Sequence, residues 1–276
     1  QFMQCVTSTG RLSSRNPNFQ NMPRGKTFPV RRAVVSRFEG GKILEGDYAQ
    51  LEYRVAGFLS KDKHVYENVK GGVDVHNLTA TIITGKDKEE ITSEERQNAK
   101  AHTFAPLYGA TGIGLPEHIH RYYYQFTDVY PGIGEWHIRL ANEALKYKVV
   151  SLPSGREYRF PYVKRTARGI THGTSVKNYP VQGFATADLL PSALVLTFEE
   201  FKKKKLKSLL CNTVHDSIVV DVHPDEEDQV IETVKECMLS IPQQAKRRWG
   251  IEYDMPVGIE IKIGSNWLDT KEIFSN

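Results

Sequence analysis

Two acids, each set at the end of an apolar β-type run and far apart in the chain, restrict the fold more than any other feature. Asp47 follows Ile43 and Leu44 and is succeeded at once by Gln50, Glu52 and Arg54. Asp216 lies in Val214-His215-Asp216-Ser217, with Leu209 and Leu210 before it and Ile218, Val219, Val220 and Val222 after it. The first reads as a strand ending in an acid, the second as a hairpin with an acid at its tip. Two such carboxylates suit a pair of hard divalent cations about 3.5–4 Å apart, which take oxygen ligands and leave positions open for phosphate. Phosphoryl transfer is therefore the expectation. An aspartate in such a place is commonly a turn former or a helix cap, so the pair needs a phosphate-binding element to support it.

That element is expected downstream. Ile91-Thr92-Ser93-Glu94-Glu95-Arg96 contains a capping box, Thr92 with Glu95 three positions on, which predicts a helix start. Beyond it Arg96, Lys100, Phe104 and Tyr108 recur every fourth residue, a spacing that lines them along one helical stripe. Two cations followed by two aromatics can grip a ligand with an anionic tail and a flat ring, as in a nucleoside triphosphate. A surface helix with solvated charges and two tucked rings has the same pattern. Asp74-Val75-His76 could add a third phosphate donor, although a lone histidine is usually structural.

Composition narrows the partners only slightly. With 276 residues, 39% hydrophobic and 25% charged, the chain can build a sizeable core,. A net charge of +4 permits a polyanionic partner without demanding one,. Cys5, Cys211 and Cys237 share no metal-type spacing, which argues against a zinc site or a disulfide framework,. Disorder and membrane spans are not expected. The Gln-Phe-Met-Gln-Cys start has no targeting pattern and reads like the interior of a longer protein.

Residues 7 to 25 form a Gly-, Pro-, Asn- and Ser-rich loop that concentrates Arg11, Asn18, Gln20 and Asn21, donors suited to phosphate oxygens and minor-groove acceptors,. Residues 42 to 60 read as strand, acid and helix, with Leu51, Val55, Phe58 and Leu59 inward. A mostly helical stretch follows to about Val176, with a break at Pro131-Gly132 and a hairpin around residues 152 to 158. Another helix is predicted after Tyr179-Pro180, then a solvated end at Lys202 to Lys205, the acid hairpin, a helix near 225 to 240, and a strand pair around Ile251 to Ile263.

Taken together these motifs resemble family A DNA polymerases of the bacterial DNA polymerase I and phage replicative type. The carriers are Thr9-Gly10-Arg11-Leu12-Ser13-Ser14 through Gln20-Asn21-Met22-Pro23; Asp47 through Arg54; Arg96 with Lys100, Phe104 and Tyr108-Gly109; Asn178 with Gln182-Gly183; and Val214-His215-Asp216. The resemblance covers essentially the whole chain. It implies an α+β fold, a palm of antiparallel sheet and helices (1–60 and 177–276) with a largely helical fingers subdomain (61–176) inserted, and no thumb or exonuclease domain. It also implies template-directed addition of deoxynucleotides to a primer 3′ end, in a cytoplasmic setting of a bacterium or an infected host.

By the same resemblance, Asp47 and Asp216 would hold two Mg²⁺ ions, replaceable by Mn²⁺, with the Tyr48 carbonyl as a further ligand. Arg96 and His76 would contact the outer phosphates, and Lys100 the inner one or the leaving group as a general acid. Phe104 would pack on the deoxyribose, with Gln50 and Tyr48 in the same nucleotide site. Glu52 with Tyr108 would exclude a ribose 2′-hydroxyl. Arg11, Asn18, Gln20, Asn21, Asn178, Gln182 and His215 would touch the primer-template, and Gly109 would border the templating base.

The chain departs from the family pattern in three places. Ser217 stands where a Glu usually follows the second acid, Thr174 where bacterial members often have Arg, and one extra residue appears in Gln182-Gly183-Phe184-Ala185-Thr186-Ala187-Asp188. The last two lean towards phage-type relatives. Thumb and proofreading segments, or separate replication factors, are expected partners, and without a thumb these residues alone should bind DNA weakly. A single-subunit RNA polymerase and an inactive DNA-binding remnant are the alternatives; Glu52 opposes the first, and the retained acids and cations oppose the second.

Overall fold

The computed structural model describes residues 1–23, 27–167 and 169–276. Arg24 and Gly25, the end of the expected loop, lie outside the described residues. The chain forms two compact units, one of Glu52–Val181 and one of Gln1–Leu51 with Gln182–Asn276. The first division falls after Leu51, the first residue of helix Leu51–Ser60, whereas the expected palm runs to residue 60.

The helical unit is built from α1 (Leu51–Ser60), α2 (Lys63–Lys70), α3 (Val75–Thr84), α4 (Ser93–Thr103), α5 (Glu117–Val129), α6 (Pro131–Tyr147) and α7 (Gly173–Gln182). The expected hairpin is present, pairing Val149–Ser151 with Glu157–Arg159. Val65, Val75, Leu107, Tyr122, Phe126 and Ile133 fill its core. One acid organises the start of two helices. Asp62 Oδ1 accepts from the His64 and Val65 N–H groups at 3.0 and 3.1 Å, capping α2. Its Oδ2 accepts from Ile133 N–H at 3.0 Å in the first turn of α6. Gly132 makes the approach possible, since a Cβ there would lie 2.7 Å from the Asp62 Cα.

The sheet unit centres on five antiparallel strands, β1 (Lys42–Tyr48), β2 (Leu209–Val214), β3 (Ser217–Val222), β4 (Ile259–Gly264) and β5 (Thr270–Ser275), in the order β5-β4-β1-β3-β2. Around it are α8 (Leu190–Lys203), α9 (Glu227–Leu239) and α10 (Ile241–Trp249). Strand alternation gives β1 two faces. On one, Tyr48 donates its hydroxyl to the Met238 carbonyl at 2.9 Å, and Gly46 lets α9 come close, because a Cβ there would meet Met238 Sδ at 2.6 Å. On the other, Ile43 packs with Val214, Val219 and Trp267.

Four local expectations are corrected. The predicted stripe is not one helix: α4 ends at Thr103, Phe104 is its C-cap, and Tyr108 lies in a separate 3₁₀ turn, Pro106–Tyr108. Pro106 has no N–H to continue the ladder, and Gly109 at φ +83° ends the turn. The helix expected after Pro180 is present but starts earlier, since Pro180 itself lies inside α7 and the coil continues to Lys203. Helix α10 was not anticipated, although Pro242 in its first turn and Gly250 at φ +70° after it are ordinary start and stop signals,. The last strand pair lies at 259–275, and residues 251–258, between α10 and its first strand, are irregular.

The run Gly173–Lys203 is long and apolar enough to cross a membrane by length and composition. Phe184, Leu189, Leu190, Ala193 and Phe201 along it are buried in the protein, as in a core helix.

Candidate active site

The β1–β3 register sets the backbone of the hairpin turn that carries Asp216 beside the end of the central strand that carries Asp47. Asp47 is opposite Ser217 in the β1–β3 register, so Asp216, one residue earlier in the two-residue hairpin turn, sits beside it. The Tyr48 N–H donates to the Asp216 carbonyl at 3.3 Å. A strand residue's C=O leaves on the same edge as its N–H, which directs the Tyr48 carbonyl to the side of the hairpin turn. His215, the first turn residue, adopts φ +56°, a conformation uncommon outside glycine,. The Tyr48 phenol is a core group, and burial holds it well above its ordinary pKa.

Two carboxylates and a main-chain carbonyl make an all-oxygen donor set, the chemistry of a hard divalent cation. Among the described residues, no group of three or more His, Cys, Asp and Glu side chains forms a metal cage. Any cation here would draw its remaining ligands from water and substrate, as Mg²⁺ commonly does.

Ser217 is tied to the central strand. Its hydroxyl donates to Glu45 Oε1 at 3.2 Å, while Trp267 Nε1 donates to Glu45 Oε2 at 3.0 Å. The Arg31 guanidinium lies 3.8 Å from the same carboxylate and stacks over the Trp267 ring at 4.0 Å. This network fastens β1 to β3 next to the acid pair.

In the helical unit, Thr92 and Glu95 form the expected capping box, and Arg96 and Lys100 follow on α4. Arg96 Nε donates to Asp74 Oδ2. His76 Nδ1 lies 3.0 Å from Thr103 Oγ1, and its ring stands edge-on to Phe104 at 5.4 Å. Burial lowers the His76 pKa; Asp74 opposes the shift, and Arg96 and Lys100 add to it. These shifts bring His76, Arg96 and Lys100 into one electrostatic neighbourhood. Phe104 also packs against Tyr53, 5.6 Å between ring centres.

Glu52 opens α1, and the Tyr108 hydroxyl donates to its Oε2. The Tyr108 turn is anchored by His137, whose Nε2 meets the Leu107 carbonyl at 3.0 Å. Burial, then the nearby Lys177, pushes the His137 pKa down to about 3, so it donates as a neutral ring. Gly109 holds φ +83°, a conformation strained for any side chain, and a Cβ there would also require the flexible Lys177 chain, 2.6 Å away at Cδ, to move,. On α7 the Asn178 Oδ1 is buried with no hydrogen-bond partner among the described residues.

The remaining residues expected to contact DNA gather in the sheet unit. Arg11, Asn18, Gln20, Asn21, Gln182 and His215 line a cavity of about 310 Å³. Arg11 Nη2 lies 3.1 Å from His215 Nδ1. A guanidinium only donates, so Nδ1 accepts and the His215 proton is on Nε2. Gln20 Nε2 donates to the Thr213 carbonyl at 3.0 Å, and Asn18 Oδ1 accepts from Gln20 N–H at 3.1 Å. Gln50, between β1 and α1, has φ +52°.

Sequence reading missed Asp74, Glu45, Arg31, Trp267 and His137. Asp74 carried a usable signal as a helix N-cap two residues before His76. The others are joined by long-range contacts that no local spacing reveals.

Comparison with known proteins identifies the class to which this fold belongs. The sequence pattern of DNA polymerase family A matches residues 1–269, and the chain belongs to that family. It is 32% identical over 286 aligned residues to DNA polymerase I of Lactococcus lactis subsp. lactis (strain IL1403), covering 98% of this chain and 31% of the relative. It is also 32% identical over 280 residues to DNA polymerase I of Aquifex aeolicus (strain VF5), covering 97% of this chain and 45% of that protein. The solved POL domain of Pol1 from M. smegmatis, in complex with DNA primer-template and dNTP, superposes with a TM-score of 0.84 at 26% identity, covering 98% of this chain and 48% of that one. The chain thus spans less than half the length of these relatives.

Proposed function

We propose that this chain carries the polymerising centre of a DNA-directed DNA polymerase, which joins deoxynucleotides to a primer 3′-hydroxyl in the order set by a template. The observation that supports the reading is the placement of Asp47 next to the hairpin turn holding Asp216, set by the β1–β3 register and the Tyr48 N–H to Asp216 carbonyl bond, in a member of this family. Primer-template DNA and dNTPs are the proposed partners, by analogy with the M. smegmatis complex. Further segments or replication factors would complete the enzyme.

Asp47, Asp216 and the Tyr48 carbonyl would hold two Mg²⁺ ions, with Mn²⁺ as a substitute. When bound, the cations favour ionisation of the primer hydroxyl and offset charge on the departing pyrophosphate. The chain's own groups bind and orient. Arg96 and His76 donate to the outer phosphates, and Lys100 delivers charge or a proton near the leaving group. Phe104 would offer a ring face to the sugar, and Tyr48 and Gln50 are assigned to the same nucleotide. Arg11, Asn18, Gln20, Asn21, Gln182 and His215 test the shape of the terminal pair, since minor-groove acceptors look alike across correct pairs. Asn178, with its buried oxygen, and Gly109 would serve the template side.

Two measurements test the assignments. Lys100→Ala is expected to lower kcat for primer extension by about a hundredfold, the usual worth of a general acid, with melting temperature unchanged; an unaltered kcat would leave Lys100 a solvated surface charge. Glu52→Ala is expected to reduce discrimination between deoxy- and ribonucleotides by about a hundredfold, because the space beside the sugar 2′ position opens. Unchanged selectivity, read from the ratio of kcat/KM values, would remove Glu52 and Tyr108 from that role.

A further inference from the structure

We infer that Asp74 is the positioning residue of the phosphate-binding cluster, its carboxylate setting both the guanidinium of Arg96 and the helix that carries His76. This rests on the reading of Arg96 and His76 as triphosphate contacts and goes beyond it, because Asp74 itself would touch no substrate.

The two oxygens of Asp74 have separate duties. Oδ1 accepts from the His76 and Asn77 N–H groups, both at 3.1 Å, and so caps α3. Oδ2 accepts from Arg96 Nε on α4. One carboxylate therefore fixes the starting end of the helix bearing His76 and the side chain of the cation on its neighbour. Arg96 is engaged through Nε, and this contact does not require the terminal amines of its planar fork, the donors that match a phosphate edge. A guanidinium held by its Nε edge keeps that fork in one orientation, which removes part of the ordering cost of binding. Burial raises the Asp74 pKa, but the hydrogen bonds from Arg96, Asn77 and His76 outweigh it and leave the carboxyl below its ordinary value, hence ionised at neutral pH.

The charge and cap functions can be separated by substitution. Asn caps a helix as well as Asp does, but D74N turns an amide N–H towards Arg96 Nε, so the cap survives and the hold on Arg96 is lost. In steady-state primer extension, D74N is expected to raise KM for dNTP about tenfold with kcat nearly unchanged, the signature of lost ground-state orientation. Inorganic tripolyphosphate, titrated calorimetrically into the protein, should bind D74N more weakly by a similar factor. D74S, another competent cap without a partner for Arg96, should behave likewise and serves if D74N does not fold. A KM that is unchanged, or that falls because Asp74 competes with the ligand, overturns the inference. R96A separates the two levels of argument. If R96A raises KM while D74N does not, the phosphate assignment stands and the role of Asp74 fails; if R96A has no effect, the phosphate assignment itself fails.

Discussion

Asp47→Asn and Asp216→Asn are each expected to reduce nucleotide incorporation by at least about a thousandfold, some 4 kcal/mol of transition-state stabilisation. Amides keep the shape of the side chains but remove the charge that holds a divalent cation. The fold should tolerate either change. Asp47 is partly exposed at the edge of the strand, and β1 is fastened by its neighbours β3 and β4 and by the Glu45 network. Melting temperature should therefore move by only a few degrees. Primer extension with a radiolabelled or fluorescent primer reads the rate, and calorimetry reads the fold. If Asp47→Asn extends primers at the parental rate, the two acids are turn formers and the proposed chemistry is lost.

Asp62→Ala is expected to have the largest effect on stability. The side chain is 1% exposed and accepts three main-chain N–H groups from two helix starts. Truncation leaves these donors buried without an acceptor, at about 1 kcal/mol or more each. A loss of about 3 kcal/mol corresponds to a fall in melting temperature of roughly 6–12 °C for a protein of this size. Asp62→Asn should lose about half as much. Its remaining oxygen can still cap α2, but its amide would face the Ile133 N–H, donor against donor,. Equal stability of both variants and the parent in thermal unfolding would show that solvent replaces the carboxylate. Because Asp62 is remote from the proposed chemistry in role, kcat at low temperature should be nearly unaffected.

Much of this architecture was legible because its signals are local. The capping box at Thr92 and Glu95, the hairpin Val214 to Ser217 and the strand before Asp47 are each written in a few consecutive residues, and all three form as expected. The stripe from Arg96 to Tyr108 failed as a single helix because a four-residue repeat does not register Pro106 as an interruption. The missed helix α10 is strongly polar on its exposed side, with Lys246, Arg247 and Arg248 near its end, and its apolar residues are too few to announce a period. The ties that hold the site, Asp74 to Arg96 and Glu45 to Ser217, Trp267 and Arg31, join residues distant in sequence, where no spacing rule applies.

The stretch where the family pattern leads one to expect an extra residue, Gly183–Leu189, is wound as a π-helix between two ordinary helices. Inserting one residue into an α-helix would rotate everything beyond it by about 100°, turning Ala193, Thr197 and Phe201 of α8 away from the interior where they now lie. A single widened coil takes up the surplus on the spot, so lengthening the backbone here leaves the facing of both flanking segments intact. A wide coil at this point is a way for the backbone to gain a residue while α8 keeps its present face towards the interior.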